Sequence, residues 1–381
     1  MSNTYQARLT STRGVASLIV IFYHCFLAFP LVPEASLTGT MLQPGATLLF
    51  AQQMLGIVFN GDAAVMVFFV LSGCVLAMQL DRRPFTAAAI PDFYVRRVFR
   101  IYPLAIVAVL LGLAIVWMLR LHFAQIALPP TSAEATRQAT DARALLRNLS
   151  MLDNDLDPPL WSLKVEIYLS LAFPLIYLAV RRPLTLCAAI MFSTWLLCAN
   201  SLGHDTTRQA VLAFVLGAAL TRYSVLRRDF GRWEPMLMIV ALCVLMVVRR
   251  VLEPTGLPRV LFLLPETLCA WAIIRSVFMR RPDLPMLDRL AVIRLGDLSY
   301  GLYVLHEPVL WLVSGVFAAA VGIRTLTAHP FAAALALFVV AFPIVLALSW
   351  LAHRSIELPF LNIGRRLARR PSRGDHLTAP P

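Results

Sequence analysis

The sequence has few charged residues and none of the polar stretches that a separate soluble domain would need. Only 14% of its 381 residues are charged and 59% are hydrophobic, whereas soluble domains have about 25% charged and roughly 45–50% apolar residues. Acidic residues are the scarcer kind, 21 against 34 basic, so the formal net charge is +13. Together with a mean hydropathy of +0.74, this composition excludes a water-soluble globule.

The sequence also lacks the patterns expected of nucleic-acid, disulfide or metal sites. Its basic residues lie between apolar runs, where anchoring and orientation in a membrane explain them, and we expect no nucleic-acid partner. All six cysteines lie inside apolar stretches without a C-x-x-C pair. We therefore expect buried, unreactive cysteines and no metal site.

The apolar runs predict an all-α integral membrane protein with about ten transmembrane helices, because a span needs about 20 mainly apolar residues. The predicted spans centre on residues 14–30, 61–80, 101–119, 160–180, 184–200, 208–224, 235–251, 258–279, 298–321 and 330–352. The first, fifth and sixth are the shortest. Residues 41–59 are interrupted by Pro44 and three glutamines, which predicts an interfacial or re-entrant helix there.

The arginines predict the orientation of these spans. Most of the 34 basic residues fall before the first span, in alternate loops and after the last span. Because Lys and Arg accumulate in cytoplasmic loops, both termini are expected in the cytoplasm. Residues 1–360 are predicted to form one membrane domain, followed by a disordered basic cytoplasmic tail over 361–381.

Ionisable residues inside the predicted spans point to function, since each costs a few kcal/mol in hydrocarbon. His24 lies eleven residues after Arg13, about 16 Å along a helix and near the middle of the bilayer. Burial favours a neutral imidazole, which is the form that a general base needs. A helix–helix contact or a proton relay in a transporter would also explain a histidine there.

Three arginines, Arg96, Arg97 and Arg100, lie at the predicted cytoplasmic mouth of the third span. Arg97 and Arg100 share a helix face, and their guanidinium groups suit bidentate contacts with phosphate. This spacing favours a phosphate-rich cytosolic donor, although an anchor beside anionic lipid headgroups is an equally simple interpretation.

Six segments, in order, resemble the motifs of membrane-bound acyltransferase family 3, whose members acylate hydroxyl groups of glycans and some other molecules. They are residues 13–24 (Arg, ten residues, His), 68–73 (FFVLSG), 96–103 (RRVFRIYP), 160–166 (LWSLKVE), 299–306 (SYGLYVLH) and 356–360 (IELPF). Val304 stands where the family usually has Leu, and Lys164 occupies a variable position. The resemblance covers Arg13 to about Phe360.

This resemblance implies an O-acyltransferase that uses acyl-CoA, most commonly acetyl-CoA, and no metal. His24 would be catalytic, as a general base or a transient acyl carrier, with Arg13 in the catalytic set. The donor would bind at Arg96, Arg97, Arg100 and Tyr102. The residues implied to bind the acceptor or to support the site are Trp161, Ser162, Glu166, Ser299, Tyr300, Tyr303 and His306.

Two expectations refine these roles. Trp161, Ser162 and Glu166 are expected on the outer side, opposite the arginines, where an indole and a carboxylate suit a sugar. Ser299, Tyr300, Tyr303 and His306 are candidate hydrogen-bond donors to the transition-state oxyanion.

The expected acceptor is a hydroxyl of a cell-surface or exported glycan, and the expected partners are the lipid bilayer and polysaccharide-assembly proteins. An Ala- and Arg-rich chain with a single lysine indicates a bacterial protein, hence the inner membrane. The alternative hypothesis is a proton-coupled transporter or flippase of an envelope precursor, with His24, Glu166 and His306 as the proton path.

Overall fold

The computed structural model describes residues 2–30, 47–82, 84–87, 89–199 and 206–368, and every regular element in those ranges is a helix. Ten helices coincide with the predicted spans. They are α1 (Ser2–Leu27), α3 (Gly61–Leu80), α4 (Ala89–His122), α7 (Leu160–Ala179), α8 (Pro183–Ala199), α9 (Thr206–Arg222), α10 (Glu234–Leu252), α11 (Val260–Met279), α13 (Ser299–Val321) and α15 (Pro330–Ala352). The other helices are α2 (Thr47–Val58), α5 (Pro130–Arg137), α6 (Ala142–Leu149), α12 (Leu290–Asp297), α14 (Ile323–Ala328) and α16 (Leu358–Leu367).

The lengths of these helices confirm a multi-pass membrane protein. Within the described residues, eight helices are long and apolar enough to cross a membrane. The fifth and sixth predicted spans, α8 and α9, have 17 residues each, or about 25 Å, which is short of a hydrocarbon core of about 30 Å. The first span was expected to be among the shortest, but α1 begins at Ser2 and has 26 residues.

One face of α2, before α3, packs against the protein. Gln52 and Gln53 of α2 are 4% and 5% exposed, and the Gln52 amide donates to the Phe29 carbonyl just after α1. Asn60 then starts α3, because its side-chain oxygen accepts from the Ala63 amide while its side-chain nitrogen donates to the Met246 carbonyl. The other α2 side chains are partly or fully exposed, so the interfacial or re-entrant helix expected over residues 41–59 stays a prediction, with residues 41–46 outside the described residues.

At the other end of the chain, a π-helical turn (His353–Glu357) joins α15 to α16, which continues to Leu367. The first residues of the predicted tail are therefore helical, and residues 369–381 lie outside the described residues. Cys25 and Cys74 are buried as expected, whereas Cys187, Cys198 and Cys243 are exposed on the outside of the helices.

Two glycines bring α3 and α9 into backbone contact. A Cβ atom on Gly73 would lie 2.3 Å from the Phe214 carbonyl oxygen, and one on Gly217 would lie 2.1 Å from the Val70 carbonyl oxygen. Small residues let membrane helices approach this closely and gain van der Waals contact. The last residue of the FFVLSG segment is therefore required by packing.

We expect Gly73→Ala and Gly217→Ala each to destabilise the folded protein by about 1–3 kcal/mol, the usual cost of overpacking. Gly56→Ala is the matched control, because a Cβ on that helical glycine meets no atom within 4 Å. Thermal unfolding in detergent would show lower Tm values for the first two variants and an unchanged or higher Tm for the third. Equal Tm values for all three would contradict this account of the α3–α9 crossing.

Candidate active site

A cavity of about 950 Å³ opens at the end of the helix bundle that carries Arg82, Arg96 and Arg365, called here the arginine-rich end. Residues from α1, α3, α4, α7 and α16 line it. Its charged lining residues are Arg13, Arg82, Arg96, Arg97, Arg100, Arg365, Asp92 and Glu166. Six arginines against two acids make the cavity strongly positive, which suits a ligand with several phosphates.

A chamber of about 60 Å³ adjoins this cavity, deeper among the helices. Arg13, Arg100 and Glu166 line both spaces and form the neck between them. The remaining chamber lining comes from α3, α4, α7 and α13, and consists of Phe68, Phe69, Ile101, Ser162, Leu163, Ser299, Tyr300 and Tyr303. The sequence-predicted residues Ser162, Ser299, Tyr300 and Tyr303 thus meet at one place.

Glu166 pairs with Arg97 at the neck, so it does not lie on the side opposite the arginines as expected. The Arg97 Nη2 atom lies 2.7 Å from Glu166 Oε1 and 2.8 Å from Ser170 Oγ, and the Ser72 hydroxyl donates to the same carboxylate oxygen. Arg97 is only 7% exposed. Its charge is therefore compensated within the protein, and it is a poorer phosphate ligand than the sequence suggested.

Arg13 and Arg100 share one carboxylate, Glu166, with Arg97 at the neck, which therefore keeps a net positive charge. Both line the cavity and the chamber, and within the described residues neither forms an ion pair with a carboxylate within 4 Å. Two guanidinium groups facing a cavity without such a partner are available to an anionic ligand. Arg13 is on the same helix as His24 but about 16 Å away, and it lies with the arginines that line the cavity.

A histidine pair joins α1 to α13 at the predicted depth of His24. The Nδ1 atom of His24 lies 2.7 Å from Nε2 of His306, and the two ring planes are nearly parallel, at an angle of 13° with centroids 4.9 Å apart. His306 is fully buried, whereas the His24 side chain is 22% exposed. Tyr303, which lines the chamber, lies beside His306 with ring centroids 5.9 Å apart.

Glu307 accompanies the pair. Its Oε2 atom lies 3.5 Å from His24 Nδ1 and 4.0 Å from His306 Nε2. The other carboxylate oxygen accepts a hydrogen bond from the Trp311 indole at 2.9 Å. On the far side of His306, Nδ1 lies 2.7 Å from the Tyr303 carbonyl oxygen.

The hydroxyl groups proposed as oxyanion donors are already engaged in helix contacts. The Tyr300 hydroxyl donates to the Ile101 carbonyl, 2.6 Å away. The Tyr303 and Ser162 hydroxyls lie 2.6 Å apart, and both are within hydrogen-bond distance of the Pro159 carbonyl. Because that carbonyl only accepts, both hydroxyl protons are used within the trio. The expected role of the two tyrosines as oxyanion donors stays a prediction, and it would require these hydrogen bonds to be exchanged.

Four predicted residues lie outside both cavity linings: His24, His306, Trp161 and Tyr102. Trp161 is partly buried and packs edge-on against Phe69, with ring centroids 6.2 Å apart, beside the hydrophobic core. Tyr102 also packs against that core. Both side chains contribute to helix packing, and their expected contacts with acceptor and donor stay predictions.

Comparison with known protein families identifies the chain. The acyltransferase family 3 model, described as an acyltransferase domain, matches residues 7–354, nearly the whole chain. The protein belongs to acyltransferase family 3. No curated protein and no solved structure matched the sequence.

Membership makes the protein a membrane acyltransferase. The motif resemblance of the sequence is thereby confirmed over residues 13 to 354.

The histidine pair and Glu307 are residue types that bind metals, and one ligand atom from each lies within 4.8 Å of the others. Two Zn–N bonds of about 2.0–2.1 Å at a tetrahedral centre would hold the nitrogens roughly 3.3 Å apart. The observed separation of 2.7 Å corresponds to a direct hydrogen bond. In this geometry the acyltransferase holds a hydrogen-bonded pair at this position.

Sequence reasoning assigned no role to two buried acids, Glu307 beside the pair and Asp157. Glu307 directly follows His306 inside a span, which was a usable signal. Asp157 lies in the loop before α7, where nothing in the sequence indicates burial. It is fully buried, and neither carboxylate oxygen has a hydrogen-bond partner among the described residues. Burial, and then the neighbouring Glu307 carboxylate, raise the pKa of Asp157 well above its usual value near 3.8.

The raised pKa of Asp157 predicts a pH-dependent stability. The folded protein holds the Asp157 proton more tightly than the unfolded chain, so this group's contribution to stability is present at low pH. It is lost as the pH rises from the ordinary pKa through the folded-state pKa. We expect Asp157→Asn to raise Tm at pH 8, with the difference from wild type shrinking towards pH 4. The control is Asp155→Asn, at an exposed position. A lower Tm for Asp157→Asn at pH 8 would show that the carboxylate is charged and paired.

Proposed function

We propose that the protein is an O-acetyltransferase of the bacterial inner membrane. It would move an acetyl group from cytosolic acetyl-CoA to a hydroxyl of a cell-surface or exported glycan. The observation that carries this proposal is the arginine-lined cavity, which adjoins a small chamber lined by Tyr303, the residue that packs against His306 of the histidine pair. A donor with several phosphates at one end and a reactive group at the other would fit the cavity and the chamber in that order.

The larger space is suited to the coenzyme. Its volume of about 950 Å³ is at the upper end of the roughly 300–1,000 Å³ found for small-molecule pockets. The positive-inside prediction puts this end in the cytosol, where acyl-CoA is found. Arg96 at the mouth and Arg13 and Arg100 at the neck would hold the phosphates. The narrow chamber of about 60 Å³ favours a small acyl group over a long chain.

His24 would carry the chemistry. It would accept the proton of the acceptor hydroxyl as the oxygen attacks the thioester carbonyl, and would then return that proton to the departing thiolate. A transient acyl group on the imidazole is the other route by which a neutral histidine can perform the transfer. In both routes only the acyl group passes through the protein.

The acceptor would approach from the end opposite the arginines. The His24 side chain keeps 22% exposure although its partner ring is fully buried, so a hydroxyl can reach it. Polysaccharide-assembly proteins that present the glycan on that side are the expected partners.

Arg100→Gln tests the donor site. One charge-assisted hydrogen bond is worth about 1.5–3 kcal/mol, so we expect KM for acetyl-CoA to rise roughly 10- to 100-fold with a smaller change in kcat. Arg181→Gln is the control, since this exposed arginine lies outside both cavity linings. An unchanged KM in the Arg100 variant, measured on purified protein, would remove Arg100 from the donor site.

His24→Ala tests the function itself. Mass spectrometry of envelope and secreted glycans, before and after mild base, would be compared among wild type, a deletion strain and His24→Ala at matched protein level. We expect base-labile acetyl groups to disappear in both mutants and to persist in the control His122→Ala, which alters an exposed histidine at the end of α4. Acetyl groups that persist in the deletion strain would contradict the glycan acceptor, and loss only in the deletion would contradict catalysis by His24.

A further inference from the structure

The backbone decides where the proton of His306 lies. Its Nδ1 atom is 2.7 Å from the carbonyl oxygen of Tyr303, one turn earlier on α13. A carbonyl oxygen can only accept, so His306 Nδ1 must carry a proton to make this bond. In a neutral imidazole the other nitrogen, Nε2, then holds a lone pair. His306 is fully buried, which favours the neutral ring.

The position of the proton on His306 in turn fixes the position of the proton on His24. The Nε2 lone pair of His306 lies 2.7 Å from Nδ1 of His24, so the proton between the two rings must belong to His24. With its proton on Nδ1, the neutral His24 ring has its lone pair on Nε2. The chain of bonds from the Tyr303 carbonyl through His306 thus selects one of the two tautomers of His24.

We propose that Nε2 of His24 is the reacting nitrogen, and that His306 and Glu307 are positioning residues that hold this tautomer and stabilise the protonated ring. This inference rests on the proposed function and specifies its reacting atom. When Nε2 takes up a proton, both nitrogens of His24 carry hydrogen and the ring is cationic. Glu307 Oε2, 3.5 Å from His24 Nδ1, then supplies the opposite charge, and Trp311 holds that carboxylate in place.

In the acyl transfer, His24 Nε2 takes up one proton and then returns it. The acceptor hydroxyl loses its proton to His24 Nε2 while its oxygen bonds to the thioester carbonyl carbon. The carbon–sulfur bond then breaks, and the thiolate takes the same proton from Nε2. An ester and free coenzyme A thiol result, and His24 returns to its starting tautomer without any change at His306. The role of His306 resembles that of the orienting group behind other catalytic histidines, whose loss costs up to about 10⁴-fold in rate through the wrong tautomer.

Two substitutions at His306 separate positioning from packing. In His306→Gln the amide can still accept from His24 Nδ1–H through its oxygen and donate to the Tyr303 carbonyl, whereas His306→Leu fills the space without either bond. We expect kcat to fall by about 10²-fold or more in His306→Leu and by less than about 10-fold in His306→Gln. His122→Leu, at an exposed site, controls for loss of a histidine. Equal losses in both His306 variants would overturn the positioning role.

A spectroscopic measurement tests the tautomers without reference to activity. Nitrogen-15 NMR of protein labelled at histidine, in lipid nanodiscs, distinguishes a protonated ring nitrogen from one with a lone pair. The His24 and His306 signals are assigned as those lost in His24→Ala and His306→Gln. We expect both rings of the wild type to be protonated at Nδ1 only, and His24 to keep that form in His306→Gln but not in His306→Leu.

A wild-type His24 protonated at Nε2, or a doubly protonated His306, would overturn the proposal whatever the activity. If the tautomers are as expected but purified protein transfers no acetyl group from acetyl-CoA, the proposed function fails and the tautomer assignment stands.

Discussion

Polar side chains within the hydrocarbon region must find their partners inside the protein, and this constraint orders the whole helix bundle. The Arg97–Glu166 pair joins α4 to α7, the Arg249–Glu266 pair joins α10 to α11, and a pair of histidines joins α1 to α13. Each contact links helices that are separate elements of the chain. Satisfying the buried polar groups and assembling the site are therefore one process, since the same contacts do both.

The same constraint divides the family motifs into two kinds of residue. Several motif positions serve the assembly of helices: Gly73 allows the α3–α9 crossing, Trp161 packs on Phe69, and the Tyr300 hydroxyl bonds to the α4 backbone. Other motif residues face the cavity and the chamber. Arg13 and Arg100 give the neck a net positive charge, and helix packing alone would not require that charge.

Charge is distributed along the internal route in a way that fits acyl transfer between two compartments. The cavity at the arginine-rich end is lined by six arginines against two acids, and the chamber beyond it is narrow. In the proposed reaction the thioester and the acyl group are neutral, so they would enter the chamber without the desolvation cost that the phosphates would meet. Under that proposal, one gradient of charge and width would hold back the coenzyme and admit its acyl group.

The sequence by itself determined the class of the protein, the approximate membrane spans and the family, and it singled out His24 as the candidate catalytic residue. Hydropathy over about 20 residues and motif order are local properties of the chain. Even there the boundaries moved, since α1 starts twelve residues before the predicted span. Only the tertiary structure decided which polar residues face each other. It placed Glu166 with Arg97 and packed Tyr102 and Trp161 against the core. It also brought Glu307, an acid without a motif role, to the histidine pair, and buried Asp157. Such partners are set by helix rotation and crossing, which depend on side-chain packing between segments that are distant in the sequence.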